Sequence, residues 1–71
     1  MPIRQMMQAA AFDAAAVKII TTAFDDALKE LGLERTDPRA EALARKVIER
    51  AQLGERNPER LRTLAVAAFR S

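Results

Sequence analysis

The chain contains only two glycines, and each is followed within five residues by an Asp or Asn and then a proline: Gly32 precedes Asp37-Pro38, and Gly54 precedes Asn57-Pro58. Glycine takes the left-handed conformation that closes a helix without a Cβ penalty. An Asp or Asn oxygen then accepts from an amide of the next first turn, and proline fits at the first helical position, where an amide hydrogen has no partner anyway. Two stop-and-restart signals of this kind cut 71 residues into three helical stretches. The loops between them are short, so consecutive helices must pack as near neighbours.

The apolar periodicity agrees. Val17, Ile20, Phe24, Ala27, Leu28 and Leu31 recur at three- and four-residue steps, which predicts an amphipathic helix over about 13–31. Asp13 is placed to cap it, Phe12 and Val17 occupy the two positions of a hydrophobic staple, and Leu33 stands where a Schellman stop folds it back onto Leu28. Ala40, Leu43, Ala44, Val47, Ile48 and Ala51 trace one face of a second helix, about 38–53, with Glu41 and Arg45 paired four apart on the other side. Leu61, Leu64, Ala65, Ala68 and Phe69 mark the expected inner face of a third, about 58–69. No stretch alternates with period two. The expected fold is all-α: one small three-helix domain over 13–70, preceded by an N-terminal segment, 1–12. In that segment Ile3, Met6, Met7 and Ala10 also follow helical spacing, and Ala9–Ala11 favour extending the first helix backward. The alternatives are a start capped at Asp13 and a continuous helix from Ile3 to Leu31.

Composition limits the function classes. With no cysteine, histidine or tyrosine, and with serine only at position 71, the side chains that most often move protons or attack carbonyls at neutral pH are missing. Asp26 and Glu30 share a helix face, but two carboxylates beside Lys29 are a solvated acidic face before they are a Mg²⁺ or Ca²⁺ site. With both glycines used as helix stops, no glycine-rich phosphate cradle exists. An enzyme is not expected, and neither is a cofactor or a metal.

Disulfide and zinc stabilisation being closed to it, a domain this small depends on helix packing or association with another chain. Charge suggests how. Residues 13–37 hold six acids and three bases, and residues 38–71 hold four acids and eight bases, so the two halves can attract each other within one chain or between two. The leading expectation is an interaction module, a homo-oligomer such as a dimer or a binder of a larger protein. Its candidate surface is Ile3, Met6, Met7, Ile19 and Val66, apolar residues beside the main stripes. The alternative is a nucleic-acid-binding module in which the second and third helices form a helix-turn-helix with a basic patch of Arg45, Lys46, Arg50, Arg56, Arg60 and Arg62. Against it, the third helix offers none of the Asn and Gln residues that read base edges, and the net charge is only +2. The start Met1-Pro2-Ile3-Arg4 lacks a secretory apolar region and no run approaches a membrane span, so a cytoplasmic protein with no membrane partner is expected.

Four stretches, Phe12-Asp13, Ala23-Phe24-Asp25-Asp26-Ala27, Ala44-Arg45-Lys46-Val47-Ile48 and above all Ala51 to Leu61 (Ala-Gln-Leu-Gly-Glu-Arg-Asn-Pro-Glu-Arg-Leu), resemble the small helical proteins of unknown function found in rhizobia and related alphaproteobacteria. The resemblance spans about residues 12–69. It implies a bacterial cytoplasmic protein and, since its signature is a joint between helices, no particular chemistry.

Overall fold

In the computed structural model, which describes residues 12–71, Asp13 is extended (φ −76°, ψ 172°) and its Oδ1 accepts from the Ala16 amide at 2.8 Å. That geometry starts helix α1, Ala14–Leu31, and rules out an unbroken helix from Ile3 to Leu31, since extended backbone at position 13 interrupts it. Inside α1 the Thr21 and Thr22 hydroxyls donate to the carbonyls of Val17 and Lys18, satisfying themselves without leaving the helix. Gly32 ends it at φ 68°, ψ 30°, and Leu33 N–H returns to the Leu28 carbonyl at 2.9 Å, the long bond of a Schellman motif.

Helix α2, Pro38–Gln52, begins at Asp37, whose Oδ1 accepts from the Arg39 amide at 2.8 Å. It closes the same way: Gly54 has φ 104°, and Glu55 N–H reaches the Arg50 carbonyl at 3.3 Å. Helix α3, Pro58–Arg70, starts from Asn57, whose Oδ1 takes both the Glu59 and Arg60 amides, at 2.9 and 3.3 Å. Three helices and no strand make up the described residues, and each helix packs against the other two.

Each helix places one of the largest fully buried side chains at the centre: Ile20 from α1, Leu43 from α2, Leu61 from α3. Alanines at 23, 27, 40, 44, 51 and 65 fill much of the rest of that cluster. Small residues there let the helix backbones approach closely, which is how a chain with three aromatic residues closes a core. Phe12, Val17, Leu31, Leu33 and Phe69 cover its edges, so the staple and Schellman residues serve packing as well as capping. No polar side chain is buried among the described residues.

One face differs from expectation. Val66, read in sequence as surplus outer surface, is 3% exposed and belongs to the core, whereas Leu64 is only half-buried. Because α3 touches both partners, its buried arc is wider than one stripe: Leu61 and Val66 stand about 140° apart around the axis, and the arc between them, not the Leu61–Leu64 side, turns inward. Ile19 likewise is half-buried against the core and only partly available. Ile3, Met6 and Met7 lie outside the described residues.

Candidate functional site

The joint between α2 and α3 gathers most of the chain's unusual features. Arg56 donates to the carbonyls of Ala51 and Glu55, so it closes the end of α2, where unpaired carbonyls carry the negative end of the helix dipole. The same guanidinium lies 5.4 Å from the centroid of the Phe12 ring, joining the residue ahead of α1 to this joint through a cation–π contact. Glu55 accepts from the Asn57 amide at 3.1 Å and pairs with Arg60 Nε at 3.3 Å. Side chains on both sides of the turn therefore hold its backbone.

Beside this network stands Leu53, 78% exposed, the large apolar side chain left in solvent among the described residues. It follows the last residue of α2 and keeps near-helical backbone (φ −79°, ψ 0°), so it continues the helix surface. Lys46, Arg50 and Leu53 are spaced i, i+4, i+7 and form one outer stripe. Neither Lys46 nor Arg50 has a carboxylate partner among the described residues.

The expected basic patch does not assemble as one surface. Arg45 points about 140° away from Arg50 around α2 and pairs with Glu41 at 3.1 Å. Arg60 and Arg62 are about 160° apart around α3. Arg60 is held by Glu55, and Arg62 reaches across to Glu30 of α1 at 3.3 Å. Arg56 is committed to carbonyls and to Phe12. Of the six, Lys46 and Arg50 remain as adjacent cations in no ion pair among the described residues. The reason is partly local and partly tertiary: Glu41 and Glu55 take arginines of their own helix or turn, and Glu30 takes Arg62 from across the fold. Each such exposed pair contributes well under ~1 kcal/mol, yet each removes a cation from what a phosphate would meet.

The described surface includes two shallow depressions. One of about 340 Å³ is lined by Asp25, Leu28, Lys29, Leu33 and Arg35, and the Arg35–Asp25 ion pair spans its residues. The other, about 330 Å³, is lined by Glu59, Arg60, Arg62, Thr63 and the half-buried Leu64. Both are open grooves, and the charged side chains that line them are exposed or half-buried. Of the Asp26 and Glu30 carboxylates, Glu30 is engaged by Arg62, and no group of three acids is placed to hold a metal ion among the described residues.

At the other joint Asp37 is held below the usual carboxylate range, chiefly by the hydrogen bond from the Arg39 side chain and next by the Arg39 amide. It acts as a cap that carries charge.

Sequence reasoning passed over Leu53 because it was counted as the end of α2. The signal was present: Leu53 is seven residues past Lys46 and on the far side of the axis from Ile48. Comparison with family models, with curated proteins and with solved structures finds no match to this chain. No helix of the described residues is long and apolar enough to cross a membrane.

Proposed function

We propose that this protein is a non-enzymatic, cytoplasmic protein-interaction module that presents the outer face of α2 to another protein. One observation carries the reading: Leu53 stands 78% exposed on a braced joint, next to two cations that form no ion pair among the described residues. A leucine held in water on a well-ordered turn gains on the order of 1.5–3 kcal/mol when a partner buries it fully, and little ordering entropy opposes that gain because the backbone is already set. The likeness of the Ala51–Leu61 stretch to small alphaproteobacterial proteins adds a bacterial setting to the proposal.

The test is affinity capture from extract of the source cells with the parent protein and with Leu53→Ser in parallel. Proteins retained by the parent and lost with the variant support the reading; identical retention by both sinks it. The nucleic-acid alternative has a narrower basis, the Lys46 and Arg50 pair, and a cleaner check. Titration of labelled duplex DNA at low salt, giving binding that weakens steeply as salt rises and with Lys46→Glu, would favour it.

A further inference from the structure

A stripe complementary to Lys46, Arg50 and Leu53 exists on the chain itself. On α1, Ile19, Asp26 and Glu30 share one flank, with Thr22 beside them. Ile19 is half-buried, Asp26 is exposed, and Asp26 has no cationic partner among the described residues. Ile19 precedes Asp26 by seven residues, and Leu53 follows Lys46 by seven, so both apolar-to-charge spacings are about 10.5 Å along the axis. Laid antiparallel, the two stripes set Leu53 on Ile19 and Lys46 on Asp26 simultaneously, with Arg50 opposite Thr22. A parallel arrangement cannot match both pairs.

We propose that the partner for the α2 stripe is α1 of a second copy of this chain, packed antiparallel through Leu53–Ile19 and Lys46–Asp26. The inference rests on the interaction-module reading and names its occupant. Two α2 stripes fit each other less well: in parallel register Lys46 and Arg50 face like charges, and in the antiparallel register that brings Arg50 to Glu49 each Leu53 meets Lys46 instead of an apolar side chain. The lopsided charge of the two halves, acidic over 13–37 and basic over 38–71, favours the same α1-to-α2 contact. A phosphate backbone is a poorer fit, since it offers nothing to Leu53. Because the two stripes are on different helices, a single contact is heterologous: a two-fold axis that pairs both stripes at once closes it as a dimer, another closing rotation makes a ring, and otherwise it continues as an open chain. One helix pair is a small contact, so association belongs to the weak class.

Sedimentation equilibrium of the full chain up to millimolar concentration is the test. The parent is expected to exceed the 7.9 kDa monomer mass as concentration rises. Lys46→Glu and Asp26→Lys should each weaken association about fivefold, and the two together in one chain should restore it, because Glu at 46 then faces Lys at 26. Leu53→Ser should weaken it about tenfold and is not rescued by charge. Circular dichroism checks that every variant is helical. A parent that stays monomeric throughout overturns the second-copy inference; Leu53-dependent capture of a different protein would then leave the interaction-module reading standing. Association unmoved by either charge reversal, or not restored by the double exchange, overturns the antiparallel pairing. Duplex DNA binding that needs Lys46 and not Leu53 overturns both.

Discussion

The two joints of this fold use the same stop and restart signals and finish them with opposite chemistry. Both close a helix with a left-handed glycine and a Schellman bond, Leu33 to Leu28 in the first and Glu55 to Arg50 in the second, and both restart on an Asx-Pro cap. After the first glycine comes Leu33, which packs onto the core. After the second comes Glu55, which cannot, and which instead braces the turn through the Asn57 amide and Arg60. A leucine stands before each glycine as well, but Leu31 packs against the core, whereas the helix surface carries Leu53 outward. The contrast teaches that ending a helix and hiding its apolar side chains are separate problems. The first joint solves both, and the second solves one with polar contacts while leaving Leu53 on display.

Breaking the backbone should have the largest effect, and more at the second joint than at the first. A Cβ at either glycine meets no atom within 4 Å, so the cost of substitution is conformational. Gly32 at φ 68° lies in the left-handed well that other residues visit, whereas Gly54 at φ 104° lies beyond it. Gly54→Val should cost about 2 kcal/mol and Gly32→Val about 1 kcal/mol. Thermal unfolding would show them as falls of roughly 8–16 °C and 4–8 °C. Equal losses would mean the two turns are not distinguished as their dihedral angles say.

Next come the side chains that finish each turn. Asn57→Ala removes the acceptor for two first-turn amides and should cost about 1 kcal/mol in urea unfolding at unchanged slope. Leu33→Ser strips a half-buried leucine from the first joint and should cost about 1 kcal/mol as well. Leu53→Ser, made at the same distance from its own cap, should stay within about 0.5 kcal/mol of the parent. If Leu53→Ser destabilised the isolated protein as much as Leu33→Ser, the second joint would be a packing joint too, and the display reading would fail.

The smallest difference is in acid. Asp37 is lowered by Arg39, so its contribution to stability is fully present above the ordinary carboxylate range and is lost as pH falls through its depressed folded value. Asn57 does not titrate. Acidification should therefore loosen the start of α2 before the start of α3, and Asp37→Asn should abolish that difference while keeping the cap. Amide hydrogen exchange at Arg39 against that at Glu59 and Arg60, followed down the pH scale, reads it directly.

Much of this was legible before any coordinates. The caps at Asp13, Asp37 and Asn57, the left-handed stops at Gly32 and Gly54, and the inner faces of α1 and α2 follow from short-range rules, because each depends on residues no more than five apart. The candidate surface was legible only in part. Val66 was assigned outward on a single-stripe rule, although a helix wedged between two others buries a broader arc. Arg56 was assigned to a basic patch, although its guanidinium spans from the α2 carbonyls to Phe12, a residue more than forty positions away in sequence.

The sequence by itself determined the two joints that divide the described residues into three helices, and left open where the first helix begins, because capping, glycine dihedrals and apolar periodicity are local properties of the chain. Only the tertiary structure decided the roll of α3, which buries Val66 and half-exposes Leu64. It alone decided the joining of Arg62 to Glu30, and that Lys46 and Arg50 form no ion pair among the described residues. These depend on how three faces share one core, and a helix has several faces of nearly equal apolarity until its neighbours choose among them.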